Sequence, residues 1–332
     1  MDSVDSQIVN EAMISQINTL PGLQLPNDAG IGAGKKISAI GYVAETGDIA
    51  NREENGYQAA AVSWKQFTED YGHKLTIQNK EGKPAELLLV PGNHDASDAI
   101  GFYRPMVPPT DATSMAGIYN LMLHPSVAKT KDTYNYATDK INYSKNIGGI
   151  HFVFLTIWAD SANRVWLAND LKNIPSSTPV MLFMHDPPEA DSKHFTNPNG
   201  QHDINGADKF ENLLTEQFKD GNTQGTVMEQ KGFVVFLKAH PNIKAFFHGH
   251  SNYKEFYIYK GPDNDIALPC FRSDSPMKGK YSAVDETKLS FQLVTINTDT
   301  KKMTVRECLW NTDPANAAAP IVWGDHMTIS LQ

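Results

Sequence analysis

Cysteine is nearly missing: Cys270 and Cys308 are the only two in 332 residues, 38 positions apart. No disulfide framework can be built from them, and their apolar, strand-like surroundings mark both as buried free thiols. Long apolar runs are missing too. The longest largely apolar stretch, Phe152–Ala159, is less than half of the roughly 18 residues a membrane span requires. There is no basic block, and 29 basic against 38 acidic side chains leave a formal net charge of −9. That balance argues against nucleic acid or an anionic membrane as the main partner. It leaves a phosphate-bearing substrate open, because a metal ion can supply positive charge locally. Internal repeats and low-complexity tracts are absent. The start, Met1-Asp2-Ser3-Val4-Asp5, has neither the basic nor the apolar region of a signal peptide. What is present is a globular composition, 40% hydrophobic and 20% charged, sufficient for one large α/β domain or two ordinary ones.

Periodicity then divides the chain. Residues Asp5–Leu20 place Ile8, Val9, Met13, Ile14, Ile17 and Leu20 at helical spacing. Pro21-Gly22 stops that helix, and a loop with Gly30, Gly32 and Gly34 follows. A strand is expected over Ile37–Val43, a helix from about Glu54 to Tyr71, and a short strand over Leu87–Val90. Residues 100–146, rich in Pro and Tyr, read as an irregular insertion. Strand His151–Ile157, helix Ser161–Leu171 and strand Val180–Met184 come next, then helices near 207–219 and 226–239. Strands follow over Ile243–Phe247, Lys254–Tyr259, Ile266–Phe271, Leu289–Asn297 and Met303–Trp310, the last two as a hairpin. The stretch 311–332 reads as a surface tail.

Four short apolar strands each end in a loop carrying Asp, Asn or His. These are Asp48, Asn93 with His94 and Asp95, His185, and His248 with His250. In an open α/β sheet the carboxyl ends of strands line one crevice, where ligands bind. Taken singly, Gly47-Asp48 is an ordinary turn, His185 a strand-end polar group, and Asn93-His94-Asp95 a capped turn. Their order, each at a strand end, is what a purely structural account does not require. His248 stays open between lining the site and merely finishing its strand. A dinucleotide-binding reading of Gly30-Ile31-Gly32-Ala33-Gly34 is poor, since those glycines precede a strand rather than follow one.

The ordered set Gly47-Asp48, Gly92-Asn93-His94-Asp95, His185 and Gly249-His250 resembles the calcineurin-like metallophosphoesterase superfamily, in its purple-acid-phosphatase-like branch. The resemblance implies a four-layer α-β-β-α sandwich of α/β class, two mixed sheets flanked by helices, as a single domain over 1–310. It implies Asp48 as a carboxylate bridging two metals, with Asn93, His185 and His250 completing the second site. His94 would be the general acid and Asp95 would fix its imidazole. The N/O ligand set suits Mn, Fe or Zn, and metal-bound hydroxide would attack a phosphomonoester or phosphodiester in line.

This chain departs from the family's pattern in three places. It has no Asp-x-His, which the family carries on a first strand ahead of the first helix. The last motif reads Gly249-His250-Ser251-Asn252, so Asn252 replaces a histidine ligand. Asn51 stands where purple acid phosphatases have a tyrosine, so no ferric–tyrosinate colour is expected. The strand 37–43 has no charge guarding an open edge, which favours a further strand upstream of Met1. Export is the expectation if a signal peptide lies there too. The alternative is a relative with one metal or none, impaired in catalysis and serving as a binding or scaffold domain. Arg104 is a conceivable phosphate contact, and the stretch 191–205, with His194, Asn197, Asn199 and His202, reads as a solvated loop or a substrate lid.

Overall fold

Alternation along four parallel strands decides the layering. In a computed structural model of the chain, residues 3–49, 59–97, 111–136, 138–191, 224–276 and 283–332 are described. A six-stranded sheet runs in the order β3-β4-β5-β6-β8-β7. Its strands are β3 (Tyr143–Ile147), β4 (Ile150–Phe154), β5 (Val180–Phe183), β6 (Ile243–His248), β7 (Glu255–Tyr259) and β8 (Leu268–Arg272). The inner four are parallel, and β3 and β7 are antiparallel edges. Successive side chains point to opposite faces of a strand. Val153, Leu182, Phe246 and Cys270 therefore face one way and pack with α5 (Ser161–Leu171) and α6 (Gln224–Ala239) through Leu167, Phe233 and Leu237. Phe154, Phe183, Phe247 and Phe271 face the other way, onto a second sheet layer.

That second layer consists of two ladders. One is the parallel pair β1 (Tyr42–Glu45) and β2 (Glu86–Leu89); the other is the antiparallel trio β9 (Ser290–Asn297), β10 (Lys302–Leu309) and β11 (Val322–Ser330). Leu88, Met303, Val305 and Leu331 close the core between the sheets. Outside this layer lie α1 (Ser3–Ile17), α2 (Ala60–Glu69) and α4 (Thr113–Leu123), packed through Ile14, Phe67, Met115 and Ile118 against Leu89, Cys308 and Trp310. The result is the expected four layers, two sheets flanked by helices. Both cysteines are buried and free. No helix among the described residues is long and apolar enough to cross a membrane.

An aromatic ladder crosses the large sheet. Tyr143, Phe154, Phe183, Phe247 and Phe271 are successive register partners, and their rings stack with centroids 4.6–4.9 Å apart. Each such pair contributes about 0.5–1.5 kcal/mol beyond its burial. Phe183 lies two residues before His185, and Phe247 three before His250, so the ladder is the floor beneath those histidines.

Several segments differ from expectation. Helix α5 has the expected bounds because Asp160 caps it, its carboxylate accepting from Asn163 N at 2.9 Å. The strand expected over Ile37–Val43 begins only at Tyr42. Ahead of it Ile37 N donates to Leu23 O and Ile40 N to Gln78 O, so those apolar residues cover the helical core as a loop. The insertion 100–146 is not irregular throughout, since it contains α4 and the edge strand β3. The expected tail is a correction: 322–330 pairs along the length of β10, and Leu331 is 1% exposed in the inter-sheet core. Its mid-strand Gly324-Asp325-His326 face outward at the sheet edge, which removes the alternation that marks a strand. The helix expected near 207–219 lies outside the described residues.

Candidate metal centre

Donor atoms from both sheets meet at one edge. After β1 the chain turns through Gly47 and Asp48. After β2, Gly92 leads into the short helix α3 (Asn93–Ser97). The two turns touch through their glycines. A Cβ on Gly92 would overlap Asp48 N and Oδ1, and one on Gly47, at φ +95°, would stand 2.5 Å from Gly92 N and 2.8 Å from His185 Nδ1. His94 N donates to Asp48 Oδ1 at 3.0 Å. Asp48 itself is left-handed, at φ +61°, a conformation uncommon for non-glycine residues though less so for Asp.

His185 follows β5 and is 1% exposed. Its backbone N and that of Asp186 both donate to Ile157 O, at 3.1 and 3.0 Å. Ile157, although β-branched, sits at φ +60°, a strain of about 1–3 kcal/mol spent on shaping this turn. His185 Nδ1 lies 2.7 Å from Thr46 O. A carbonyl only accepts, so Nδ1 carries the proton and Nε2 presents a lone pair. Burial holds the His185 pKa below its ordinary value, with the Asp48 carboxylate opposing, so the ring is neutral.

Four atoms then converge. His185 Nε2 is 3.0 Å from Asn93 Oδ1, 3.1 Å from His250 Nδ1 and 3.4 Å from Asp48 Oδ1, and His250 Nδ1 is 3.1 Å from Asn93 Oδ1. Ligands about 2.1 Å from a shared cation stand about 3.0 Å apart in an octahedron and about 3.4 Å apart in a tetrahedron. The mutual 3.0–3.1 Å spacings of Asn93 Oδ1, His185 Nε2 and His250 Nδ1 match the octahedral edge, and Asp48 joins them through His185 Nε2 at 3.4 Å. His185, Asp186 and His250 also form a His/Asp group whose ligand atoms all lie within 4.8 Å of one another.

Of the residues expected at the site, Asp48, Asn93, His185 and His250 are thus brought together. His94 is 6% exposed, and its Nε2 stands 3.9 Å from Asp48 Oδ2, at the rim of the cluster. Asp95 does something unexpected: its buried Oδ2 accepts from Gly92 N at 2.8 Å and Ile49 N at 3.2 Å, tying the two turns together. Asn252 is not brought in. Among the described residues its side-chain oxygen accepts from Ser275 Oγ at 2.9 Å, on the β8 side. His248 finishes its strand, with Nδ1 3.2 Å from Gly249 O and Nε2 3.0 Å from Tyr257 OH. Burial lowers its pKa well below the ordinary value. Asn51, Arg104, His194, Asn197, Asn199 and His202 lie outside the described residues.

Two carboxylates escaped the motif reading. Asp186 is fully buried, with Oδ1 3.7 Å from His250 Nδ1, and Asp191 Oδ2 is 2.9 Å from His250 Nε2. The rigid Pro187-Pro188 exit after Asp186 is the only sequence signal that pointed there.

No protein-family model matches the chain, and no curated protein matches it. Among solved structures it is similar to a single mutant of Vps29 from Entamoeba histolytica, at 11% identity over 86% of this chain and 97% of that one, TM-score 0.29. It is similar to a putative 5′-nucleotidase from Staphylococcus aureus in complex with α-ketoglutarate, at 9% identity and TM-score 0.33. The match covers 87% of this chain and 45% of the nucleotidase, so this chain spans under half of that protein. A third is phosphopantetheinyl hydrolase from Mycobacterium tuberculosis, at 12% identity over 74% of this chain and 85% of that one, TM-score 0.32. Likeness of this degree transfers no activity, and the functional reading rests on this chain's own side chains.

Proposed function

We propose that the chain is a metal-dependent phosphoesterase of the metallophosphoesterase type. Asp48, Asn93, His185 and His250 would hold one cation of Mn, Fe or Zn, and the substrate would be a small phosphomonoester or phosphodiester. The observation that carries this reading is the mutual 3.0–3.1 Å spacing of Asn93 Oδ1, His185 Nε2 and His250 Nδ1, with Asp48 Oδ1 3.4 Å from His185 Nε2. A lone proton in their midst satisfies two atoms of that triangle; a cation satisfies all three. The mixed N/O set suits a borderline metal. When bound, such a cation supplies Lewis acidity, polarising a phosphoryl oxygen and acidifying water.

The protein's own groups do the rest. His185 enters neutral, so no proton needs to leave Nε2 before it ligates. Asp48 contributes the negative charge of the donor set, and its Oδ2 lies 3.9 Å from Nε2 of His94, the residue that would carry a proton. His94 then donates that proton to the departing oxygen of the ester, a transfer worth roughly 10²–10⁴ in rate. Asp95 keeps the 92–95 turn docked on the Asp48 loop, which fixes the distance between the acid and the cation ligands. Placement in the purple-acid-phosphatase-like branch rests on motif order alone.

Asn252 favours a second reading. Its oxygen accepts from Ser275 Oγ at 2.9 Å and it stands where a histidine ligand is expected, which together support the binding or scaffold alternative. One experiment separates the two. Chelated protein is reloaded with Mn²⁺, Fe²⁺ or Zn²⁺, and metal content is measured alongside turnover of mono- and bis-nitrophenyl phosphate. The enzyme reading expects about one ion per chain and restored turnover. It also expects His94→Ala to lose roughly a hundredfold in turnover with metal content unchanged. Metal uptake without hydrolysis of either ester supports the scaffold reading instead.

A further inference from the structure

His250 is held from both sides by one short turn. Residues 186–191 leave β5 through Pro187-Pro188, and Ala190 N donates to Pro187 O at 2.8 Å, with Ala190 at φ +53°. Asp186 Oδ2 then accepts from Asp191 N at 3.2 Å. This closure leaves Asp186 Oδ1 3.7 Å from His250 Nδ1 and Asp191 Oδ2 2.9 Å from His250 Nε2. His250 itself is at φ +66°, in a three-residue turn closed by Ser251 N donating to Gly249 O at 2.8 Å. Its backbone is therefore strained, and its ring is fixed by what flanks it.

We propose that Asp191 is the positioning residue of the metal centre, setting the tautomer and aim of His250. A carboxylate only accepts, so Nε2 carries the ring proton and Nδ1 turns its lone pair toward Asn93 Oδ1 and His185 Nε2. Without Asp191 the ring is free to place its proton on Nδ1, where Asn93 Oδ1 at 3.1 Å accepts it, and that form cannot ligate. His185 has its own anchor in Thr46 O. The two imidazoles are thus set by different partners, one a backbone carbonyl and one a carboxylate. Partners of this kind behind ligating histidines change metal affinity by about 10–100-fold when removed.

The inference deepens the cation reading, and its test is chosen to fail separately from it. Metal-free protein, labelled with ¹⁵N-histidine, is read by long-range ¹H–¹⁵N spectra at pH 8, with His250 assigned by the signal lost in His250→Gln. The expected result is an Nε2–H tautomer in the parent and a shift toward Nδ1–H in Asp191→Ala. Asp191→Asn keeps an acceptor of the same shape and is expected to retain the parent tautomer, which also guards against a general folding defect. In parallel, Zn²⁺ affinity by chelator competition should fall about 10–100-fold in Asp191→Ala and less in Asp191→Asn. An unchanged His250 tautomer in Asp191→Ala, or a Zn²⁺ affinity within about twofold of the parent in both variants, overturns the role of Asp191. A parent that takes up no Zn²⁺ overturns the cation reading, while the tautomer comparison still decides for or against Asp191.

Discussion

Two residues of one turn, His250 and Asn252, meet opposite fates. Both are left-handed, at φ +66° and +53°, and both stand at positions where family ligands are expected. His250 points into a space where three other strand-end loops arrive, and the 186–191 turn brackets its ring. Asn252 is taken by Ser275 in the segment after β8. A motif position therefore becomes a ligand when several independent loops converge on it, and spacing along one loop is not enough.

The sharpest way to break this comparison is at its centre. His185→Ala removes the atom from which three of the four donor distances are measured, and cation affinity is expected to fall by at least about a hundredfold, in line with loss of a first ligand exceeding loss of a supporting partner. Equilibrium dialysis checks it, and retained affinity would show that the four atoms are not a cation cage. Gly92→Ala comes next. Its Cβ meets backbone and carboxylate of Asp48, neither able to swing away, so about 1–3 kcal/mol of stability should go, with weakened cation binding. A denaturant melt of the variant with and without Zn²⁺ measures both.

A smaller effect probes the strand that delivers Asp48. Burial raises the Glu45 carboxyl from about 4.5 to about 7, partly offset by a hydrogen bond from Tyr71. The folded chain thus holds a proton that the unfolded chain loses above pH 4.5. That stabilisation is complete below this value and vanishes as pH rises through 7. Glu45 is only half-buried by exposure, so water reaching it trims the contribution to about 1–2 kcal/mol. Glu45→Gln should flatten stability between pH 5 and 8 and leave the variant more stable than the parent at pH 8. A variant with the parent's pH slope would show that Glu45 is not the group responsible. The smallest change belongs to Asn252→Ala, which should leave cation affinity within about threefold. A tenfold loss would place Asn252 among the ligands after all.

Much of the site was legible because its signals are local. A short apolar run followed by Gly-Asp or Gly-Asn-His-Asp identifies a strand end without knowledge of its neighbours. Helix α5 also starts on a local feature, the Asp160 cap that the structure shows. What stayed hidden depends on pairing. The aromatic ladder exists only once the register sets Phe154 beside Phe183 and Phe183 beside Phe247. The paired role of Asp186 and Asp191 appears only when the Pro187-Pro188 turn folds one back on the other. Strand β11 was missed because Gly324-Asp325-His326 interrupts the alternation that Met327, Ile329 and Leu331 then resume. The Ser275 hydrogen bond to Asn252 was hidden too, since motif spacing says nothing of it.

The stacked rings beneath the strand ends carry a practical consequence. They lock neighbouring strands two or three residues below His185 and His250, so the spacing of those two strand ends is inherited from the sheet, while the turns at 92–95 and 186–191 set how the donors are aimed. Anyone retuning this protein toward a different ester has almost no room to work in the rungs. A bulky or polar replacement at Phe183 or Phe247 would move histidines it never touches.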